Sequence, residues 1–220
     1  IDMSSIEFPD MSMHTNYDII IHCAAQTGGY YSLINPGKDA MWNCVATANL
    51  MKFAKKCDSL RKIIYTSSMA VYGEGLNKKE CDQLKPISFY GASKLSAEYY
   101  LSVLNAQTGL SFTNLRLWNT YGSGQDMENK HQGMLSIYLD QAMRNNKIKV
   151  TGSKERTRDF IHVSDVVSAI NFCITNRNTD NKTFNVCSGT PVSVENLIRE
   201  LENHMNKKLE IIEIEGYMGD

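Results

Sequence analysis

The feature that most constrains this chain is its alternation of short apolar runs with longer stretches of helical periodicity. Residues 19–21 form a continuous apolar run, residues 39–56 carry the helical repeat, and residues 63–65 form the next apolar run. Apolar runs without alternation are typical of strands that are covered on both faces of a parallel sheet. Strands separated by helices in this order predict an α/β fold with a doubly wound parallel sheet.

The alternation continues towards the C-terminus, with a change of rhythm after Gly122. Helices are predicted over 89–106, 134–144, 164–175 and 193–205, and strands over 112–117, 148–151, 159–162, 183–187 and 209–214. A polar loop over 123–132 interrupts the pattern. We therefore expect a main domain over 1–122 and a smaller part over 123–220, from which residues 159–187 return to the core sheet.

Composition narrows the class of protein and of partner. The formal net charge is -1, and no apolar run approaches the roughly 20 residues that span a bilayer. This balance predicts a cytoplasmic protein without a nucleic-acid or membrane partner. The six cysteines form no Cys-x-x-Cys pair and the five histidines show no ligand spacing, so we expect reduced thiols and no metal site.

One pair of residues in the predicted helix over 89–106 is suited to proton transfer. Tyr90 and Lys94 are four positions apart, and residues at that spacing share one face of a helix. A lysine ammonium lowers the pKa of a nearby phenol, which then exchanges a proton near neutral pH. Ser68, at the end of a predicted strand, would share the hydrogen bond that the phenol makes with its ligand. The trio predicts proton transfer to or from a hydroxyl or carbonyl group. Such a proton transfer usually accompanies hydride transfer to or from a nicotinamide cofactor.

Four stretches around this trio carry a family resemblance. They are DIIIHCAA at 18–25, TSSMAVYG at 66–73, LRLWNTYG at 115–122 and RDFIHVSD at 158–165. Their order and spacing resemble those of the extended short-chain dehydrogenase/reductase family, and especially its UDP-glucose 4-epimerase-like nucleotide-sugar branch. The resemblance covers most of the chain. It implies that 1–122 is a dinucleotide-binding domain and that 123–220 mainly binds substrate.

The resemblance also assigns roles to individual residues. It implies that the catalytic residues are Ser68, Tyr90 and Lys94. The cofactor, NAD or alternatively NADP, would contact Asp2, Met3, Ala24, Ala25, Ser67, Tyr90 and Lys94. The nucleotide-sugar substrate would contact Ser68, and its diphosphate would contact Asn119 and Arg158. Asn43 would hold strand backbone near the site, whereas Arg156 is interpreted as a solvated surface charge.

The implied activity is NAD-dependent 4-epimerisation of a nucleotide sugar. Hydride would leave carbon 4 while Tyr90 takes the proton of the 4-hydroxyl, and hydride would return to the opposite face of the keto intermediate. The 4,6-dehydratases of the family carry an acidic pair where this chain has Met69 and Ala70. Neither side chain can transfer a proton. A 4,6-dehydratase is therefore disfavoured.

Two alternatives remain open. The Gly28-Gly29 pair is similar to one in GDP-sugar epimerase-reductases, which favours an NADP-dependent reductase or epimerase-reductase of a keto nucleotide sugar. A catalytically silent dinucleotide-binding regulatory protein is the alternative from another class. The joint presence of Ser68, Tyr90 and Lys94 argues against that silent protein.

Two further expectations concern the whole protein. A dinucleotide-binding fold has a glycine-rich turn between its first strand and helix, and none is recognised in this chain. We therefore expect the chain to be a piece of a longer protein, without its first strand-helix unit. The helices that contain Asn43 and Tyr90 pair across a two-fold axis in the family, so we also expect a homodimer.

Overall fold

A parallel sheet forms the centre of the structure. The computed structural model describes residues 3–4, 16–75 and 77–216. Its main sheet has the order β1-β2-β3-β7, and its strands are β1 (Ile19–His22), β2 (Lys62–Ser68), β3 (Ser111–Leu117) and β7 (Lys182–Val186). Every neighbouring pair is parallel. The predicted α/β fold with a parallel central sheet is confirmed.

Helices cover both faces of this sheet. The first half contains α1 (Gly29–Ile34), α2 (Pro36–Ala40), a π-helical turn (Met41–Val45), α3 (Ala46–Ala54), a 3-10 turn (Met69–Tyr72) and α4 (Phe89–Thr108). On β2, Ile63 and Tyr65 pack against α3 and α4, whereas Ile64 packs in the cluster on the opposite face. Successive strand residues point to opposite faces, so β2 is buried on both sides.

The C-terminal part adds two smaller sheets. Its elements are β4 (Asn119–Tyr121), α5 (Met134–Asn145), β5 (Lys147–Thr151), β6 (Thr157–His162), α6 (Val163–Thr175), a 3-10 turn (Arg177–Thr179), β8 (Pro191–Ser193), α7 (Val194–Met205) and β9 (Glu210–Ile214). The order β4-β6-β8 forms one sheet, and β5 pairs with β9 in the other. A separate hydrophobic cluster joins α5, β5 and α7. Of the segment 159–187, β7 lies in the main sheet, whereas β6 belongs to the sheet with β4 and β8.

Several local expectations need correction. Ile21 in β1 is 44% exposed, so β1 is not covered on both faces as the sequence analysis expected. α6 is capped by His162, whose ring nitrogen accepts a hydrogen bond from the backbone N–H of Ser164, and not by Ser164 or Asp165. The Gly28-Gly29 pair lies at the start of α1, with Gly28 as the residue directly before the helix.

No helix in the described ranges combines the length and the apolar character needed to cross a membrane.

Candidate active site

The largest cleft opens where the strands of the main sheet end. It has a volume of about 1220 Å³, and Ser68 at the end of β2, Asn119 just after β3, and Tyr90 and Lys94 on α4 line it. The carboxyl ends of parallel strands are the usual ligand side of an open α/β sheet. The cleft continues between the main sheet and β6 of the C-terminal part, where Arg158 also lines it.

The start of α4 fixes Tyr90 against β2. The side chain of Ser88 caps the helix by accepting the backbone N–H of Gly91 at 3.0 Å. The buried hydroxyl of Ser32, on α1, accepts the backbone N–H of Tyr90 at 3.1 Å. A Cβ added to Gly91 would lie 2.4 Å from the backbone oxygen of Ala70. The absence of a side chain at Gly91 therefore lets α4 begin in contact with the turn that follows Ser68.

The structure brings Tyr90 and Ser68 together. Both side chains line the cleft, and Ser68, whose Oγ accepts the backbone N–H of Ala70 at 3.2 Å, acts to lower the pKa of Tyr90. Withdrawal from solvent raises the pKa of Tyr90 to about 12, and the carboxylate of Asp39 acts in the same direction. The phenol therefore holds its proton at neutral pH. The sequence analysis expected a lowered pKa for Tyr90, and in this structure burial raises it instead.

Lys94 lies on the same face of α4, inside the wall of the cleft. It is 2% exposed, and its Nζ lies 4.4 Å from the centroid of the Tyr65 ring. Burial lowers the pKa of Lys94 to about 7, while Cys23, Glu98 and Asp39 act in the opposite direction. This ammonium group can therefore change its charge near neutral pH, which no spacing of residues in the sequence indicates.

Asn43 lies in the π-helical turn between α2 and α3. Its Oδ1 accepts the backbone N–H of Gln26 at 2.8 Å, and its Nδ2 donates to the backbone oxygen of Gln26 at 3.1 Å. The same Nδ2 lies 3.0 Å from Oγ of Ser93 on α4. Asn43 thus links the segment after β1 to the helix that carries Tyr90. Single π-helical turns inside α-helices are frequent at functional sites.

A buried polar network lies behind the end of β2, and the sequence analysis missed it. Oγ of Ser67 donates to Oε1 of Glu98 at 2.5 Å, so this hydroxyl is engaged inside the protein. Glu98 in turn accepts hydrogen bonds from Arg116 at 3.0 and 2.7 Å. Arg116 also donates to the hydroxyl of Tyr72 at 2.8 Å, and this tyrosine donates to Asn185 at 2.7 Å. These bonds tie β2, β3, β7 and α4 together directly behind Ser68.

The expected substrate-binding residues lie on the opposite wall of the cleft. Nδ2 of Asn119 donates to the backbone oxygen of Asp159 at 2.9 Å, which joins β4 to β6. Arg158 lines the cleft, and its Nη1 donates to the backbone oxygen of Thr157. Arg156, interpreted from the sequence as a solvated surface charge, is half-buried and lines the same cleft. Two arginines therefore border this wall, where one was expected.

Asp159 holds the loop after β7. Its Oδ1 accepts hydrogen bonds from the backbone N–H and the hydroxyl of Ser188 at 2.8 and 2.9 Å. Its Oδ2 accepts the backbone N–H of Gly189 at 2.8 Å. Its carboxylate is thus engaged in loop structure, beside the arginine that precedes it on β6.

The end of β1 fits a dinucleotide cofactor. Ala24 and Ala25 line a cavity of about 460 Å³ that adjoins the cleft, and their small side chains leave the backbone open to a ligand. At Gly28 an added Cβ would lie 3.0 Å from Nε2 of Gln26, so the backbone there is closely packed. Met3 also borders this cavity, and its backbone oxygen accepts a hydrogen bond from Asn49. Asp2, the other residue expected to meet the adenine, lies outside the described residues.

Comparisons with known proteins agree with this geometry. The model of the NAD dependent epimerase/dehydratase family matches residues 4–187. An Escherichia coli dTDP-4-dehydro-6-deoxyglucose reductase is 32% identical over 92% of this chain and 64% of its own length. The chain spans between 58% and 64% of the length of this and two other curated relatives.

Two solved structures extend the comparison. The UDP-glucose 4-epimerase of Thermotoga maritima, crystallised with UDP-glucose, is similar with a TM-score of 0.86 and 28% identity over 98% of this chain and 68% of that chain. MoeE5, in complex with UDP-glucuronic acid and NAD, has a TM-score of 0.90 and 25% identity over 100% of this chain and 72% of that chain. With a family model that matches most of its length, this chain belongs to the NAD dependent epimerase/dehydratase family.

Proposed function

We propose that this chain carries the catalytic residues of an NAD-dependent nucleotide-sugar 4-epimerase, with Ser68, Tyr90 and Lys94 as the catalytic trio. The observation that carries the proposal is that Tyr90 and Ser68 line one cleft at the carboxyl end of β2, with Lys94 one helical turn away in the same cleft. Bound NAD would supply the acceptor, and then the donor, of the hydride at carbon 4. Ala24, Ala25, Met3 and Lys94 would hold it.

Tyr90 moves the proton in this proposal. The phenol holds its proton in the structure, because its pKa is raised to about 12, and this is the form that returns a proton to a 4-keto sugar. Removal of the proton from the sugar's 4-hydroxyl requires the phenolate. The ammonium group of Lys94 stabilises that phenolate, and Ser68 shares the hydrogen bond of the sugar oxygen.

The opposite wall of the cleft would hold the nucleotide end of the substrate. The guanidinium group of Arg158 is suited to bidentate hydrogen bonds with the diphosphate, and Arg156 adds a second positive charge on the same wall. Asn119 would complete this contact. In this proposal residues 1–122 bind the cofactor and residues 123–220 mainly bind the substrate, so that the sugar lies between Arg158 and Tyr90.

A second candidate is an NADP-dependent reductase of a keto nucleotide sugar. It is supported by the 32% identity with the Escherichia coli reductase and by the protonated state of Tyr90, which suits delivery of a proton to a ketone. The two candidates use the same trio. They differ in the source of the hydride that carbon 4 receives, because in the epimerase it comes from the same sugar and in the reductase it comes from NADPH. Met69 and Ala70, which offer no carboxylate at the position of the dehydratases' acidic pair, disfavour dehydration.

A panel of nucleotide sugars in heavy water distinguishes these activities. The purified protein is incubated with UDP-glucose, UDP-N-acetylglucosamine, UDP-glucuronic acid or dTDP-linked sugars and NAD, and the products are read by proton NMR. The proposal predicts a 4-epimer without deuterium at carbon 4. Consumption of NADPH with a 4-keto sugar, and no epimer from any substrate, would favour the reductase. A 4-keto-6-deoxy product would contradict both.

A further inference from the structure

A buried carboxylate lies behind the face of α4 that carries Tyr90 and Lys94. Asp39, on α2, is 1% exposed, and its Oδ1 accepts a hydrogen bond from Nδ2 of Asn43 at 3.1 Å. Its side chain also hydrogen-bonds that of Ser93. Its Oδ2 is buried without a hydrogen-bond partner among the described residues. Burial of a carboxylate with an unpartnered oxygen is destabilising unless a nearby charge compensates for it.

A short chain of hydrogen bonds connects this carboxylate to the catalytic helix. Nδ2 of Asn43 lies within hydrogen-bond distance of both Asp39 and Oγ of Ser93, at 3.1 and 3.0 Å. Oγ of Ser93 in turn lies 3.0 Å from the backbone oxygen of Tyr90. Ser93 directly precedes Lys94 on α4. Asp39 therefore fixes the turn of helix from which both Tyr90 and Lys94 project.

Asp39 differs in its charge from the other titratable groups around Lys94. The titratable groups around Lys94 are His22 from β1, Cys23 directly after it, Asp39 from α2, Tyr65 from β2, and Tyr90 and Glu98 from α4. Burial lowers the pKa of His22 to about 4 and raises that of Tyr65 well above its ordinary value, so both are neutral at pH 7. Glu98 is bonded twice to the guanidinium group of Arg116, which balances its charge.

Asp39 has no such directly bonded cation. Its hydrogen-bond partners in the described part of the chain, Asn43 and Ser93, are neutral. The cation that acts on it electrostatically is Lys94, and Asp39 acts on Lys94 in return. Opposite charges attract strongly in the interior because the local dielectric constant is low. Asp39 and Lys94 therefore each stabilise the charged form of the other.

We propose that Asp39 is a positioning residue of the proposed reaction, whose carboxylate fixes Asn43 and Ser93 beside Tyr90 and supplies the negative charge that keeps the proton on Lys94. This inference rests on the proposed function for its catalytic meaning. The electrostatic effect of Asp39 on Lys94 does not depend on substrate or cofactor. Loss of that negative charge would release the proton from Lys94 at a lower pH and would weaken the hold on the turn of helix that carries Tyr90.

The test is an NMR titration of Lys94 in protein labelled with ¹³C at the lysine Cε, where Lys94→Met assigns the signal. Asp39→Asn keeps the shape and removes the charge, so the titration midpoint of Lys94 should fall by about one pH unit or more, because a nearby opposite charge favours the charged form of a group. Asp39→Glu keeps the negative charge and should return the titration midpoint of Lys94 most of the way to the parent value. Asp58→Asn removes one charge from an exposed position and should leave the midpoint unchanged.

An unchanged midpoint in Asp39→Asn would overturn the proposal. The parent protein offers an independent check if that variant does not fold, because a ¹³C titration that found the Asp39 carboxyl still protonated at pH 7 would also overturn it. Neither titration needs substrate or cofactor, so both remain decisive if the proposed epimerase activity is not found. If the activity is found, Asp39→Asn should lower kcat about tenfold or more with little change in the KM of the nucleotide sugar.

Discussion

The carboxylate of Glu98 accepts hydrogen bonds from both Nε and Nη2 of Arg116, at 3.0 and 2.7 Å, directly behind the strand that ends at Ser68. Both side chains are buried, with 6% and 4% exposure. The same carboxylate accepts the hydroxyl of Ser67. The ion pair and this hydroxyl connect α4, which carries Tyr90, to β3 and to β2, which carries Ser68, and so fix the positions of these elements.

Removal of one member of this pair should be strongly destabilising. Arg116→Met leaves the carboxylate of Glu98 buried without its cation, and we expect a loss of about 3 kcal/mol or more in the free energy of unfolding. Urea denaturation measures the loss. The double variant with Glu98→Leu removes both charges and should recover part of it. A loss under about 1 kcal/mol in the single variant would show that the pair does not stabilise the fold.

Gly91 is predicted to be intolerant of alanine. The added Cβ would lie 2.4 Å from the backbone oxygen of Ala70, so α4 would have to move away from the turn after Ser68. Gly91→Ala should therefore lower both stability and turnover. Gly37→Ala is the matched control, because a Cβ at this helical glycine meets nothing within 4 Å and should stabilise by about 0.5–1 kcal/mol. Equal effects of the two substitutions in thermal unfolding and activity assays would contradict the close contact at Gly91.

His22 should make stability depend on pH in the acid range. Burial lowers its pKa from 6.5 to about 4, and its Nε2 lies 3.0 Å from the hydroxyl of Thr47. The unfolded chain therefore binds a proton at His22 between pH 6.5 and 4, whereas the folded protein does not. Stability from this group is complete above pH 6.5 and is lost as the pH falls towards 4, by about 3 kcal/mol in total.

The test of this prediction compares the parent with His22→Gln by urea denaturation at pH 7, 5.5 and 4. The difference in stability between the two proteins should shrink as the pH falls. A constant difference would show that His22 titrates alike in the folded and unfolded states.

A homodimer is predicted through the outer face of α4 and the neighbouring π-helical turn. Tyr99 and Val103 on α4 are 60% and 53% exposed, and Trp42 on the turn is 39% exposed. The two elements are adjacent, since Sγ of Cys44 lies 2.9 Å from Oγ of Ser96. Val103→Glu should convert the dimer to a monomer in light-scattering measurements. Phe172→Glu, equally exposed on α6, should leave it intact, and an unchanged mass for both variants would exclude this face.

The layers of the fold could be predicted from the sequence because the residue types of β2 indicate that this strand is buried. Ile63, Ile64 and Tyr65 are apolar at successive positions, which is typical of a strand buried on both faces, and all three are buried. The predicted helix over 193–205 is found as α7, and the side chain of Ser193 caps it by accepting the backbone N–H of Asn196 at 3.1 Å. Tyr90 and Ser68 are brought together as their motifs indicated.

The remaining features depend on packing between distant parts of the chain. The π-helical turn at Asn43 is defined by its hydrogen-bond pattern, which residue types do not encode. Glu98 and Arg116 meet only because α4 crosses β3. The pKa of Tyr90 is raised because the surrounding helices and strands exclude water, and no spacing of residues reports that burial. Asp39 stands at the start of a predicted helix in the sequence, and its burial likewise cannot be predicted from the spacing of residues.

The most direct test of the proposed chemistry is the turnover of Tyr90→Phe in the nucleotide-sugar assay. The ring and its packing remain in this variant, so the unfolding transition should match that of the parent, while the group that exchanges a proton with the sugar is lost. We predict that turnover falls at least about a hundredfold, the typical contribution of one acid-base group. Turnover within a few-fold of the parent would contradict the assignment of Tyr90 and, with it, the mechanism proposed for the trio.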